Sequence, residues 1–270
     1  MTVCVTGASG FIGTRLLEML REQGHTALPV SVRGDVQLPP CDAVIHLAGE
    51  PIAQRWSSEA KTRIERSRIE GTRKVVAAMK DAGAKVLVCA SAIGIYGNRG
   101  DEWLTEDSPL PHGFVADVAR NWESEAAKFS GRVVSLRIGI VLGKGGGALG
   151  KMLLPFKLGV GGRLGHGKQW MSWIHIEDLC RMIVFALENE SISGPINAVA
   201  PNPATNAQFT RTLAASLHRP AIFPVPEFAL RLVLGEMSQI LLDSARVSAS
   251  KIQGLGFTYR FPELAQALQA

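Results

Sequence analysis

The stretch TVCVTGASGFIGT, residues 2–14, joins a run of β-branched residues to a glycine-rich turn and then to a helical pattern. Gly7, Gly10 and Gly13 follow the spacing G-x-x-G-x-x-G. In this setting the first glycine allows a tight turn, the second lets the backbone approach a pyrophosphate, and the third lets helix and strand pack closely. Free N–H groups at the helix N-terminus attract anions. The stretch therefore predicts a dinucleotide site. Its expected cofactor contacts are Gly7, Ser9, Gly10, Phe11, Ile12 and Gly13.

Short apolar runs alternate with helical patterns through the chain beyond this turn. Such alternation is typical of β-α-β units, which build a parallel sheet covered by helices on both faces. We predict an α/β fold with a Rossmann-type doubly wound parallel sheet and a smaller C-terminal substrate lobe. The predicted strands are TVCVT, HTALPVSV, DAVIHLA, AKVLVCAS, RVVSLRIGIVL and GPINAVA, and the predicted helices lie near 11–24, 58–81 and 114–129.

The composition changes at residue 143, where the segment GKGGGALGKMLLPFKLGVGGRLGHG is rich in glycine. We interpret this segment as a mobile lobe over the cleft. The predicted division is a dinucleotide-binding domain over 1–147 and a substrate lobe over 148–270, with about 173–199 returning to the sheet.

Arg33 lies 20 residues beyond Gly13, where dinucleotide folds select their cofactor. An arginine there accommodates the 2′-phosphate of NADP, whereas an acid binds the ribose of NAD. The position favours NADP as the cofactor, although Asp35 is two residues away and keeps NAD open.

Composition sets the class of protein. The chain has 270 residues, 46% of them hydrophobic, and a net charge of +5. It contains no apolar run near the roughly 20 residues that span a bilayer, and its N-terminus does not resemble a signal peptide. Its four cysteines are widely spaced, and its basic stretch at 59–74 is interleaved with glutamates. We expect a cytoplasmic protein with reduced thiols, no metal site, and neither a nucleic-acid nor a membrane partner.

Five motifs in order, TGASGFIG, DAVIHLAGE, CASAIGIYG, LRIGIVLG and WIHIEDL, resemble the extended short-chain dehydrogenases/reductases. The segments AGEPI, GGGALGKMLLPFKLGVGG and GFTYRFPEL resemble an atypical branch labelled "epimerase family protein", also called cell division inhibitor or nucleoside-diphosphate-sugar epimerase-like. The resemblance implies that the N-terminal lobe binds NADP(H). It also implies that the strand ends carrying Leu47, Ala48, Gly49, Ser91, Arg137 and Gly139 lie along the cofactor.

The catalytic pattern departs from this superfamily. Its members typically use a serine at a strand end with a Tyr-x-x-x-Lys pair on the next helix, where the tyrosine transfers a proton and the lysine lowers its pKa and holds the nicotinamide ribose. Ser91 matches the serine, but the helix reads HGFVADVARNWESE and carries neither partner. Tyr96 is our candidate for the catalytic acid, with the alternative that it packs its ring within a turn.

The substrate region also departs from relatives that bind nucleotide sugars, since Met171 stands where such relatives carry an arginine for a diphosphate. We therefore expect a small, fairly apolar carbonyl or alcohol substrate and an oxidoreductase or epimerase-like reaction. A non-catalytic NADP(H)-sensing protein is the alternative, since the Tyr-Lys pair is missing. The resemblance leaves open a homodimer through the helices near 58–81 and 114–129.

Overall fold

The structure is a computed structural model that describes residues 1–270 apart from the side chain of Lys151. The strands are β1 (Thr2–Thr6), β2 (Thr26–Val30), β3 (Ala43–His46), β4 (Val86–Ala92), β5 (Trp103–Leu104), β6 (Arg132–Ile138), β7 (Ile140–Leu142), β8 (Trp170–Met171), β9 (Trp173–His175), β10 (Gly194–Ala198), β11 (Ala204–Thr205) and β12 (Arg246–Val247). The helices are α1 (Phe11–Glu22), α2 (Ser58–Ala82), α3 (Phe114–Ala126), α4 (Gly147–Lys157), α5 (Ile176–Glu188), α6 (Asn206–Ser216), α7 (Glu227–Leu234), α8 (Ser238–Leu242), α9 (Ser250–Gly254) and α10 (Leu264–Gln269).

Six parallel strands form the central sheet in the order β10-β6-β4-β3-β1-β2. The predicted α/β class and parallel sheet are confirmed. The chain steps from β1 outward to β2 and then returns to the other side of β1 with β3. This reversal opens a crevice at the carboxyl ends of β1 and β3, the place where doubly wound sheets bind ligands. Pro29 lies in β2, and an edge strand tolerates a missing N–H group.

Successive side chains of the strands pack into two hydrophobic cores, one on each face of the sheet. Val3 and Val5 pack with α1 and α5, whereas Cys4 packs with α2 and α3. The period of two in β1 therefore fixes which helices cover which face. Each fully buried aliphatic side chain of this kind contributes about 1.5–3 kcal/mol.

Gly139 divides the predicted strand 132–142 into β6 and β7, and the expectation of one continuous strand is wrong. β6 pairs inside the central sheet, whereas β7 pairs with β9 outside it. A Cβ atom at Gly139 would lie 2.6 Å from the Ser172 carbonyl oxygen and 2.9 Å from Cγ1 of Val199. Only a glycine lets Ser172, just before β9, and Val199, just after β10, approach the branch point, which is the position where β6 ends and β7 begins.

A further apolar cluster, mostly from the C-terminal half of the chain, is built around Trp173 and Phe209. Among the described residues, no helix has the length and apolarity needed to cross a membrane. Several large apolar side chains between residues 154 and 233 are exposed to solvent. They are Leu154, Leu158, Val160, Ile222, Phe223, Phe228, Leu232 and Val233.

Candidate functional site

The glycine-rich turn between β1 and α1 lies at the crevice. Gly7 has a φ of +69°, which favours glycine. A Cβ atom on Gly7 would lie 2.8 Å from the Ala48 nitrogen, and one on Gly13 would lie 2.2 Å from the Gly7 oxygen. Both glycines are therefore required by contacts that the turn makes with the end of β3 and with itself.

The N-terminus of α1 is open toward a ligand. Gly10 is the N-cap residue, and among the described residues no side chain caps the helix. A cavity of about 690 Å³ lies beside this end of the helix. Backbone N–H groups and the helix dipole make such an end a binding site for an anionic group. The cavity is lined by Ser9, Gly10, Phe11, Lys144, His175 and Arg260, among others.

The glycine-rich segment after β7 packs directly on α1. Cβ atoms at Gly143, Gly146 and Gly147 would lie 2.5–3.1 Å from atoms of the Phe11 ring. The sequence pattern favoured a mobile lobe here. The structure shows a packing function for these glycines, because they let the segment approach Phe11, the first residue of α1.

A buried polar chain runs beneath the crevice. Oγ1 of Thr6 lies 2.6 Å from Nδ1 of His46, and Nε2 of His46 lies 3.1 Å from Oγ1 of Thr72. All three side chains are fully buried. Burial, with a smaller contribution from the nearby Arg68 cation, lowers the pKa of His46 to about 4. The imidazole is therefore neutral at physiological pH and acts as a structural bridge between β1, β3 and α2.

Arg33 lies on the exposed segment that follows β2. Its backbone N–H group donates to Oγ of Ser31 at 3.1 Å. Its guanidinium group makes no hydrogen bond or ion pair with any residue that the structure describes. Asp35 is also exposed on this segment. Both side chains are therefore free to bind a ligand at the end of β2.

Ser91 belongs to a buried network that the sequence did not reveal. Its hydroxyl donates to Oε1 of Glu123 at 2.7 Å. Arg137, on the neighbouring strand β6, donates to both oxygens of this carboxylate, at 2.9 and 3.0 Å. Burial alone would lower the pKa of Arg137, but its hydrogen bonds and charge attraction with Glu123 hold it above its usual value. The result is a serine that is hydrogen-bonded to a carboxylate whose charge is balanced.

The sequence predicted that Arg137 lies along the cofactor, but its side chain is engaged elsewhere. Besides binding Glu123, its Nη1 donates to the Tyr96 hydroxyl and to the Glu106 carbonyl, both at 2.9 Å. The Arg137 side chain is 5% exposed. Arg137 therefore positions Glu123. Gly139 has no side chain, and its contacts are those of the branch point.

The structure places Tyr96 in the core, which argues against the predicted role as catalytic acid. A 3₁₀ turn over Ile93–Tyr96 directs the ring inward, and the residue is 0% exposed. Its hydroxyl donates to Oδ1 of Asn197 at 2.7 Å. Burial is the main cause of a raised pKa for this tyrosine. Because the Tyr96 hydroxyl is engaged by both Asn197 and Arg137, the alternative of a packed turn residue fits the contacts.

An apolar cluster occupies the region of α3 in which a Tyr-x-x-x-Lys pair is expected. Phe114 packs against Trp56 with ring centroids 5.1 Å apart, and Val118 is buried. A Cβ atom at Gly94 would lie 2.5 Å from Cγ1 of Val115. Met237, far along the chain, joins this cluster. This part of α3 is therefore packed in apolar surroundings.

His175 begins α5 as its N-cap. Its Nδ1 accepts the Glu177 N–H group at 3.3 Å, and its ring lies 4.1 Å from that of Phe261. Burial is the main reason why its pKa is lowered. Asp178 is fully buried and accepts the N–H groups of Arg260 and Phe261, both at 2.7 Å. These contacts hold the C-terminal segment against the N-terminus of α5.

Sequence reasoning missed two charged residues at the crevice, Glu123 and Arg68. The stretch 59–74 was interpreted as a solvated helix face, and most of its charged side chains are exposed. Arg68 differs, because its guanidinium carbon lies 5.1 Å from the centre of the Trp122 ring. The signal for it was the four-residue spacing to Thr72, which places both residues on one face of α2.

Two family models match the chain. One, described as the NAD dependent epimerase/dehydratase family, covers residues 3–198, and the other, described as a domain of unknown function (DUF1731), covers residues 225–270. Ser91, Glu123 and the glycine-rich turn all lie inside the first match.

Curated relatives and solved structures are similar over the whole chain. The "Epimerase family protein SDR39U1 homolog, chloroplastic" of Arabidopsis thaliana is 40% identical, covering 100% of this chain and 86% of the relative. The "Epimerase family protein YfhF" of Bacillus subtilis is 38% identical, covering 99% and 97%. A crystal structure of human epimerase family protein SDR39U1 with NADPH has a TM-score of 0.94 and 37% identity, covering 100% of this chain and 98% of that chain.

Proposed function

The chain belongs to the NAD dependent epimerase/dehydratase family, and from this membership we propose that it is an NADP(H)-dependent oxidoreductase or epimerase-like enzyme. The expected relation to proteins labelled "epimerase family protein" is confirmed. The substrate that we propose is a small, fairly apolar carbonyl or alcohol. The observation that carries the proposal is the turn at Gly7, packed against Leu47 and Ala48 where the strand order reverses.

The fit of the crevice to NADP(H) rests on three features. The N-terminus of α1 is uncapped by the described side chains and can hold the pyrophosphate. The Arg33 guanidinium is free, at the strand end where a 2′-phosphate is bound in dinucleotide folds. The human relative is crystallised with NADPH. Leu47, Ala48 and Gly49 would lie along the cofactor between its pyrophosphate and its 2′-phosphate.

When bound, the nicotinamide supplies or takes the hydride, so the chain has to orient a substrate oxygen and carry its proton. Ser91 is the polar group at the end of β4, and its O–H bond points toward Glu123. The lone pairs of its oxygen are then available to a substrate hydroxyl. As Ser91 takes the substrate proton, its own proton passes to the Glu123 carboxylate. Arg137 holds that carboxylate in place.

The proposed apolar character of the substrate is supported by an apolar cluster that packs α2 against α3, in the region where a Tyr-x-x-x-Lys pair is expected. Its members are Ile52, Trp56, Ile64, Phe114, Val115, Val118 and Met237. An apolar surround of this kind favours a substrate with apolar groups beside its reacting carbon. Lys61 lies 5.2 Å from the centre of the Phe114 ring, at the exposed rim of this cluster.

The experiment begins with a fluorescence titration that measures NADPH binding. The protein is then incubated with a metabolite extract and NADPH deuterated at C4, in separate reactions for the two hydride faces, and products are searched by mass spectrometry. We expect deuterium in one small carbonyl-derived metabolite, and Ser91→Ala to abolish that transfer with NADPH affinity retained.

A second function, an NADP(H) sensor without chemistry, is favoured by the apolar residues that fill the Tyr-x-x-x-Lys region of α3. Tight NADPH binding with no deuterium transfer from either face would support the sensor and contradict the enzyme. A sensor must also bind NADPH and NADP⁺ with different affinities, since a ligand shifts a conformation only through differential binding.

A further inference from the structure

The eight large apolar side chains named above, from Leu154 to Val233, are 57–77% exposed to solvent, and we call them the apolar patch. They come from the C-terminal end of α4 and the residues after it, from the segment that precedes α7, and from α7 itself. The largest apolar patch on a monomeric protein usually covers about 300–600 Å², and larger ones mark sites of interaction. Phe223 and Phe228 each expose on the order of 100 Å², so eight such side chains exceed this range where they lie together.

Backbone contacts bring these segments together on one surface. The N–H group of Val225 donates to the Arg163 carbonyl at 2.8 Å, and the N–H group of Gly165 donates to the Val225 carbonyl at 2.9 Å. A Cβ atom at Gly162 would lie 1.6 Å from the carbonyl oxygen of Phe223. The chain that leaves α4 therefore runs beside the chain that enters α7.

Each of these two helices presents an apolar stripe to solvent. Leu154 and Leu158 are four residues apart at the end of α4, and Phe228 and Leu232 are four residues apart on α7. Residues at this spacing share a helix face. Leu230 is the buried residue of α7, so the stripe of Phe228 and Leu232 is not used by the core of the protein.

The charge around the apolar patch is almost entirely positive. Residues 144–170 and 206–234, which supply the patch and its surroundings, hold eight of the chain's 29 lysines and arginines but only one of its 24 acidic residues. That one acid is ion-paired with Arg231 at 2.6 Å. Lys157 and Arg219 are exposed and form no ion pair with any residue that the structure describes. Cations of this surface are therefore available to an anionic partner.

We propose that the apolar patch and the cations around it form a surface that lies on a membrane containing anionic lipids. The apolar side chains enter the boundary between headgroups and acyl chains, while the lysines and arginines attract the lipid phosphates. No span is needed, since such a surface lies in the plane of the interface. The inference goes beyond the proposed function. It also departs from our expectation of no membrane partner, which rested on properties averaged over the whole chain.

A second copy of the chain fits this surface less well than a membrane does. In a two-fold dimer the same patch of both copies meets. Two such patches would bring cations against cations with few acids to balance them, and like charges across an interface oppose association. Anionic headgroups instead supply the opposite charge over the whole surface.

The test is cosedimentation with large vesicles, made either of phosphatidylcholine alone or of phosphatidylcholine and phosphatidylglycerol in equal amounts. We expect the wild-type protein to bind the mixed vesicles, to bind the phosphatidylcholine vesicles much more weakly, and to lose binding as salt is added. Phe228→Ser combined with Leu232→Ser is expected to lower partitioning into the mixed vesicles by at least about 10-fold, because two exposed apolar side chains are lost.

Two further variants separate the charge of this surface from the charge of the whole protein. Lys157→Glu combined with Arg219→Glu is expected to weaken binding to the mixed vesicles strongly. Arg21→Glu combined with Arg66→Glu makes the same change of net charge at exposed positions of α1 and α2. This matched control is expected to retain most of the binding. Circular dichroism verifies the fold of each variant.

Four results overturn the inference. Three come from cosedimentation: no binding of the wild-type protein to the mixed vesicles, equal binding to both kinds of vesicle, and undiminished binding by the Phe228→Ser, Leu232→Ser variant. The fourth comes from light scattering, since a wild-type dimer that becomes monomeric in this variant would assign the apolar patch to a second copy of the chain. If the serine variant does not fold, the glutamate variant and its matched control decide the test. NADPH binding by the wild-type protein tests the proposed function separately.

Discussion

At the end of β2, the Arg33 guanidinium makes no hydrogen bond or ion pair with any described residue. We therefore predict that it selects the cofactor. Arg33→Ala is expected to weaken NADPH binding by about 1–3 kcal/mol, the scale of a charged hydrogen bond, and to leave NADH binding nearly unchanged. Titration calorimetry with both cofactors measures the difference. Arg211→Ala, which removes an exposed arginine of α6, is the matched control. An equal loss of both cofactors in Arg33→Ala would contradict a contact with the 2′-phosphate.

Tyr96 gives a prediction about stability, because its hydroxyl joins Arg137 to Asn197 inside the core. Tyr96→Phe leaves the buried Oδ1 of Asn197 without its donor and removes one acceptor of Arg137, and it is expected to lower the free energy of unfolding by about 1–3 kcal/mol. Deuterium transfer and NADPH affinity are expected to persist. Urea unfolding and the transfer assay are the measurements. Abolished transfer in a variant of normal stability would show that Tyr96 takes part in the chemistry.

Residue identity alone could predict the phosphate-binding turn, because glycine spacing reports a local backbone requirement. It could not predict that Glu123 binds Ser91 or that Arg68 packs on Gly49. These pairs lie on different elements, and their meeting depends on how α2 and α3 stand above the sheet. Ser91 is a candidate that the sequence did reach, because it follows a recognisable buried strand.

At the scale of elements, the runs that became β1, β3 and β4 were predictable from β-branched content and from their alternation with helices. The division of 132–142 was not, since the atoms that require Gly139 belong to Ser172 and Val199. Such contacts are set by tertiary structure and leave no trace in the local pattern. The same holds for the glycines that close on Phe11.

Gly139 and Gly71 form a matched pair for testing this branch point. Gly139→Ala introduces a Cβ atom 2.6 Å from a carbonyl oxygen and is expected to lower the free energy of unfolding by about 1–3 kcal/mol. Gly71 lies inside α2 with nothing within 4 Å of its built Cβ. Gly71→Ala is therefore expected to raise stability by about 0.5–1 kcal/mol through helix propensity. Equal effects in urea unfolding would show that the branch point tolerates a side chain.

At the scale of the whole molecule, the buried His46 links folding to pH. Its pKa is about 4 in the folded chain and about 6.5 when unfolded. Between these values the unfolded state binds more protons, so stability is complete above pH 6.5 and falls as the pH drops toward 4, by roughly 3 kcal/mol in total from this group. Thermal unfolding of the wild-type protein and of His46→Gln from pH 7 to 4 measures the contribution of His46 to stability. An equal pH dependence in the two proteins would contradict a neutral buried imidazole.

The order of strands in the central sheet also affects how the chain folds during its synthesis. β6 lies between β4 and β10, yet residues 139–193 separate it from β10 along the chain. During synthesis the N-terminal portion can collapse around β1, β3 and β4 while one edge of β6 still has unpaired N–H and C=O groups. A nascent chain stopped before residue 194 is therefore expected to be prone to aggregation and to depend on chaperones until its sixth strand emerges.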